Sequence, residues 1–324
     1  MKKEKNIGNS EKGSRIFGAI AGFGVIDDGR LVVLDSIDKK IKIIDSSGKV
    51  LKEFGREGQG PGEWRSPIIL QLISDRLIMI SDPGNRKILY LDLDGNLIKE
   101  VSYARKMNII KIIEDGGKFI ASEMGPEGSS IAYTVSKYNG NFNQLFKIDN
   151  WLMPLPMRSS KINFFDMIYC FCLDSEGNIV YSRGTNYEIK YFTPEGKLFR
   201  IVRKEYQPQS ITQKDKEKIL GMLPRTQGVN MKEMIVFPEK FPPFSSFFMD
   251  EKNRLYVKTY EKGKSINTYM VDIFNHEGKF IGRCEMPSDI LDLTAVWKAD
   301  KLYLVEKDEE GYPSIGVYIS KWGR

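Results

Sequence analysis

The chain has 324 residues, 41% of them hydrophobic and 28% charged, which excludes an intrinsically disordered chain and supports a substantial core. Its 49 basic and 43 acidic residues leave a net charge of +6 spread along the chain, which permits an anionic partner without requiring one. No apolar run reaches the roughly 18 residues of a membrane-spanning helix.

The N-terminal stretch MKKEKNIGNSEKGSR is basic, with no apolar segment after it, and does not read as a secretory signal. As written, the chain is expected in the cytoplasm; export would require a segment removed before Met1. The first strand follows, about Ala19–Ile26. Arg30–Asp35 and Lys39–Ile44 then cluster β-branched and aliphatic residues as half-buried strands do. Asp45-Ser46-Ser47-Gly48-Lys49 is a hairpin turn, and Val50–Phe54 is the next strand. Gly55–Trp64, GREGQGPGEW, suits neither helix nor strand and reads as a loop.

This unit recurs. Leu31, Leu77, Phe119, Ile179, Leu255 and Leu302 each open a strand after an Asp/Gly/Asn turn, at a period of about 40–50 residues with two expansions. The glycines Gly48, Gly95, Gly140, Gly196 and Gly278 mark a hairpin in five of the copies. In the second copy the strands are expected near Ile68–Ile73, Arg76–Ser81, Lys87–Asp92 and Asn96–Ser102. Six four-stranded antiparallel units of this length predict an all-β, six-bladed β-propeller, one domain spanning residues 1–324. The sixth copy ends one strand short. Residues around Gly13–Phe17 are free to supply the missing outer strand, so that the N-terminal strand closes the ring and leaves no unpaired radial edge.

The motif GREGQGPGEW, followed by SDPGNRKILYLDLDGN, resembles the NHL-repeat propellers. More narrowly it is similar to a six-bladed β-propeller family common in Bacteroidetes, whose first blade ends in such a glycine-rich link. The resemblance covers nearly the whole chain. It implies an exported, cell-envelope or periplasmic protein, from which this chain departs by showing neither a signal nor a lipid-attachment cysteine.

Loop lengths separate two faces. The turns between first and second, and third and fourth, strands are tight. The long segments, Arg56–Ser66, Asp149–Phe165 and Lys204–Pro243, fall on the other side, and loops on a rigid scaffold carry function. In the last of these a helix is expected from Ser210, with Gln213 as capping partner, ending at Pro224. It reads either as a cover for a strand edge or as a lid.

Aromatic residues gather in these segments: Trp64, Trp151, Phe164, Phe165, Phe237, Phe241, Phe244, Phe247 and Phe248. Basic residues accompany them: Arg56, Arg65, Arg86, Arg158, Arg183 and Arg225. Trp64 and Trp151 are candidates for a stacking surface, and Arg56, Arg65, Arg86 and Arg183 for ligand contacts, each against a purely structural role. Arg86 also holds the position where NHL repeats place an arginine that braces neighbouring loops.

Catalytic signatures are sparse. The single histidine, His276, lies in a hairpin, which excludes histidine triads and multi-histidine zinc centres and argues against the propeller lyases. The glycine loop lacks the Lys-Ser/Thr ending of a phosphate cradle. Asp166, Asp174 and Asp250 lie near strand ends where a calcium-dependent lactonase would need carboxylates. Cys170, Cys172 and Cys284 form no disulfide framework and read as free core residues. The expected function is therefore non-catalytic binding of a peptide, glycan or protein partner by a monomer without a cofactor. A metal-dependent hydrolase or lactonase, with calcium as its ion, is the alternative. RNA binding comes third, for want of a basic stripe.

Overall fold

The computed structural model describes residues 1–8, 15–104, 107–155, 161–223, 231–291, 294–308 and 310–319. Arg158, Pro224, Arg225 and Gly13 lie outside these residues. The described chain forms six four-stranded antiparallel sheets, the blades of a six-bladed β-propeller. Blade one comprises Ile20–Val25, Leu31–Asp35, Lys40–Ile44 and Val50–Phe54. Blade two comprises Ile69–Ser74, Leu77–Asp82, Lys87–Leu91 and Leu97–Ser102. Blade three, Ile109–Asp115, Lys118–Glu127, Ser130–Tyr138 and Gln144–Pro154, has the longest strands. Blade four comprises Cys170–Leu173, Ile179–Ser182, Glu188–Phe192 and Leu198–Arg203. Blade five comprises Phe244–Met249, Leu255–Lys262, Thr268–Phe274 and Phe280–Pro287.

Blade six takes Ala295–Lys298, Lys301–Lys307 and Pro313–Ile319 from the C-terminal end, and Lys2–Ile7 as its fourth strand. Closure by the N-terminal strand is as expected, but the strand lies upstream of the Gly13–Phe17 stretch. Its sequence KKEKNI explains why. Ile7, opposite Ile315, is buried, while the lysines face water and pair with Glu306 and with Ser46 O. Phe17 is instead a core residue, 2% exposed. Outer strands elsewhere follow the same rule: VLKEF, LIKEVS and LFRIVR put charge on the exposed edge, which discourages edge-to-edge pairing.

Contacts group the chain into two compact units. One holds blades one, two and six and most of blade three; the other is chiefly Trp151–Leu293, with blades four and five and the helices. In the first unit, apolar faces of successive blades interlock: Val32, Leu34 and Ile41 with Ile78, Ile80 and Leu89, and Met79, Ile88 and Tyr90 with Phe119 and Tyr138. In the second, Val180, Ile189 and Tyr191 pack with Phe244, Val257 and Phe274. Cys170 and Cys284 are buried and Cys172 half-buried, and none of the three is in a disulfide.

The recurrent turn has a common chemistry. Asp45 accepts hydrogen bonds from the Ser47 and Lys49 amides at 2.8 and 3.0 Å, and Asp92 likewise from Asp94 and Asn96, both at 2.8 Å. Bonds from the Ser47 hydroxyl and the Asn96 amide, with these backbone donors, hold both carboxyls below the usual carboxylate range. The glycine two residues before the second strand also makes room: a Cβ on Gly95 would lie 2.6 Å from Phe54, and one on Gly278 2.6 Å from Val202. Blade three departs from the pattern. There Asn139 accepts from Asn141 and Asn143, so the left-handed position falls on Phe142 (φ 59°), not on Gly140. Stacking of Phe142 on Phe119, with centroids 4.6 Å apart, holds it in that conformation.

Candidate functional site

The Gly55–Trp64 link, conspicuous in the sequence, closes on itself. The Glu63 carboxylate folds under the loop, accepting from the Gly60 amide at 3.0 Å and pairing with Arg56 at 2.7 Å. A Cβ on Gly58 would overlap that carboxylate, and one on Gly55 (φ 135°) would lie 2.2 Å from the Trp64 ring. Both glycines are therefore required by close approach. Asn85 donates to Gly58 O at 2.7 Å and Lys87 to Gly60 O at 2.8 Å, tying the link to blade two.

This geometry reassigns several expected contact residues. Trp64 is 1% exposed, packed in the core with its Nε1 donating to Lys39 O at 2.8 Å, which leaves no ring face for a ligand. Arg56 and Arg65 have exposed side chains. The Arg65 and Ser66 amides both donate to Asp82, a fully buried carboxylate, at 2.9 and 2.7 Å. Arg86 sits at φ 54° and braces the chain through its backbone, its carbonyl accepting from Tyr103 N at 3.0 Å. Asp174 and Asp250 are turn caps, and Asp166 accepts from Asn163 at 3.2 Å. His276 is exposed in its hairpin.

Trp151 and Arg183, distant in sequence, are brought together. The Arg183 guanidinium lies 4.6 Å from the Trp151 ring, which Tyr169 meets edge-on at 5.3 Å. Trp151 itself is buried.

The Lys204–Pro243 insertion forms a stem and a helix. Ile211 N donates to Glu239 O and Phe241 N to Gln209 O, zipping its two ends together. Helix α1, Gln213–Met222, is capped by Thr212, with Asp215 completing the capping box; the expected cap, Ser210, bridges Lys240 in the stem instead. Asp215 and Lys218 then fasten the helix to Lys262 and Asp289 of the blade-five region, at 2.9 and 2.8 Å. Phe237 and Phe241 pack with Phe164, Phe165 and Tyr260, Phe241 stacking on Tyr260 at 4.4 Å. These aromatic residues of the long segments thus anchor the insertion.

Where the insertion leaves blade four it opens a cleft of about 200 Å³, lined by Lys204–Gln207, Gln209, Pro242, Thr259–Glu261, Asp272 and Arg283. Its floor is ionic. Asp272, fully buried, pairs with Arg283 Nε at 2.7 Å and Lys204 Nζ at 3.1 Å, and accepts from the Tyr187 hydroxyl at 2.7 Å. Arg283 also reaches Glu261 at 2.7 Å. Burial pulls the Arg283 guanidinium down, but bonding to Glu261 and the Asp272 charge outweigh it, so its pKa is raised. Burial, reinforced by Asp272, drives the Tyr187 hydroxyl far above its ordinary value, so it is a fixed donor. The two carboxylates and two cations of this network compensate one another.

Sequence reasoning missed Lys204, Tyr206, Gln209, Glu261, Asp272 and Arg283. One signal was available: Asp272 interrupts the apolar strand TYMVDIF, and a carboxylate in such a run must be paired when buried. Among the described residues no three His, Cys, Asp or Glu side chains come together to hold a metal ion.

Comparison with known proteins agrees with the architecture. Human E3 ubiquitin-protein ligase NHLRC1 is 30% identical over 69 residues, which is 21% of this chain and 18% of that protein. A DUF4221-family structure from Bacteroides vulgatus aligns over 98% of both chains, with TM-score 0.61 and 9% identity. A streptogramin B lyase structure aligns over 98% of this chain and 97% of its own, with TM-score 0.51 and 10% identity. At these identities the likeness is one of fold alone. Residues 17–287 match the family described as 6-bladed beta-propeller (DUF5128), and the chain belongs to that family.

Proposed function

We propose that this protein is a binding propeller that seats one side chain or one sugar ring of a larger ligand in the cleft beside Tyr206. The carrying observation is the cleft itself, with a preorganised ionic floor and polar walls. At about 200 Å³ it falls below the roughly 300–1,000 Å³ of pockets that enclose a whole small molecule. Tyr206, Gln207 and Gln209 supply a half-buried ring and amide groups at the rim. The floor's own charges are taken up by one another, so the rim makes the contacts.

The test is to screen the whole chain on glycan and peptide arrays, then measure affinity for the hits. Tyr206→Ala and Gln209→Ala should each weaken binding about tenfold, the effect of losing roughly 1.4 kcal/mol of contact, while melting normally. Turnover of a lactone or ester panel that both variants abolish would overturn the binding reading in favour of a hydrolase.

A further inference from the structure

We infer that Arg183 is a recognition group for the carboxylate of an acidic sugar, a uronate-type ligand. The inference rests on the reading that these loops bind a ligand, and adds a residue outside the cleft lining.

Arg183 differs from the other arginines of its neighbourhood. Arg203 pairs with Glu188, Arg254 with Asp250, Arg283 with Glu261 and Asp272, and Arg200 donates to His276 O. Arg183 forms no ion pair with a carboxylate among the described residues, and its Nε, enclosed from solvent, has no hydrogen-bond acceptor there. An enclosed N–H without an acceptor is costly in any folded protein; the terminal nitrogens of Arg183 are not enclosed in this way, and they are the donors open to a partner from outside. The guanidinium is also held in place. It rests on Trp151 at 4.6 Å, and Trp151 is fixed in turn by Tyr169. A planar fork parked on an aromatic face keeps its outward donors oriented for a two-point contact with a carboxylate.

The surroundings favour a sugar over an acidic polymer of other kinds. Gly184, Thr185 and Asn186 continue the loop, the last two exposed, and none carries charge. One cation beside a hydroxyl and an amide matches a ring bearing one carboxylate and several hydroxyls. An acidic peptide or a nucleic acid would call for a cluster of cations.

The experiment is a fluorescence titration of the full chain, with Trp151 as the reporter beneath Arg183. The probes are an oligogalacturonate, a neutral oligogalactoside of equal length, and oligoglutamate. A saturable change with the oligogalacturonate is expected, weakened by added salt and at least tenfold weaker in Arg183→Gln. Arg183→Lys, which keeps charge but loses the fork, should fall between and serves if the glutamine variant melts early. Equal affinity for the acidic and neutral sugars would overturn the carboxylate assignment while leaving a binding propeller in place. Tighter binding of oligoglutamate, no response to any probe, or an unchanged affinity in both variants would also overturn it; array hits lost in Tyr206→Ala alone would then preserve the binding reading.

Discussion

The Gly55–Trp64 link and the Lys204–Pro243 insertion both carry the chain from one blade to the next, and their side chains are used in opposite ways. In the link the anchoring groups turn inward: Glu63 under its own glycines, Lys87 and Asn85 on its carbonyls, Trp64 into the core. Of its longer polar side chains, Arg56, Glu57 and Gln59 remain exposed, and Glu57 pairs with Lys39. In the insertion the anchoring is done by a few aromatic rings and the α1 cap, and the segment leaving blade four lines a cleft. A motif dense in glycine and charge can therefore be a structural clip, while an unremarkable polar stretch borders the candidate site. The difference lies in whether the loop's hydrogen-bonding groups find partners within the loop and its own blade.

The largest effect should come from breaking the link. Trp64→Ala removes a fully buried indole and its bond to Lys39 O, and is expected to cost about 3–5 kcal/mol by cavity formation. Urea unfolding followed by circular dichroism would show this as a lower midpoint. Ligand binding at the cleft, measured at a temperature where the variant remains folded, should be unchanged. A melting curve like that of the unaltered protein would mean that the link is not the clip described.

The blades are legible in the sequence because their signal is local and repeated. Alternating apolar strands and an Asp or Asn capping its own turn are visible residue by residue, and each copy supports the next. Two kinds of feature were not legible. Gly140 looked like the hairpin glycine, yet the turn is set by which residue accepts from the amides two and four positions on, and that is Asn139. Trp64 and Trp151 read as surface aromatics because a sequence does not say which way a ring faces; the expected loop Asp149–Phe165 in fact begins as strand, since the last strand of blade three runs on to Pro154 and buries Trp151. The cleft joins Lys204, Glu261, Asp272 and Arg283 from four separate segments, so no spacing in the chain announces it.

A smaller loss should follow from disturbing the cleft floor. Asp272→Asn removes the charge that Lys204 and Arg283 share. Removing one partner of a fully buried pair costs about 3–5 kcal/mol. Here the side chains of Lys204 and Arg283 keep 24% and 31% exposure and can turn toward water, so roughly 2–3 kcal/mol is expected. The two regions then part company in function: Asp272→Asn should impair both stability and ligand affinity, where Trp64→Ala impairs stability alone. Equal ligand affinity in Asp272→Asn and the unaltered protein would remove the floor from the site.

The smallest effect concerns a second glutamate clip, close kin to that of Glu63 but placed beside the cleft. Glu285 accepts from the Thr268 hydroxyl and from the Ser265 amide, and a Cβ on Gly263 would lie 2.4 Å from the Thr268 hydroxyl oxygen. The hydroxyl bond foremost, then the amide, brings the Glu285 carboxyl from 4.5 down to about 2. A carboxyl whose pKa is lower in the folded state stabilises that state when ionised. Its contribution is complete above pH 4.5 and is lost as pH falls from there to about 2. Glu285→Gln keeps an acceptor but no charge, so it should melt slightly below the unaltered protein at neutral pH. That gap should narrow steadily between pH 4.5 and 2 and weaken in salt, since the carboxylate lies at the surface. Thr268→Val, which removes the principal donor, should flatten the same pH dependence without touching the charge. A gap between the glutamine variant and the unaltered protein that stays constant across that acid range would show that the clip holds by shape alone, with the charge of Glu285 contributing nothing.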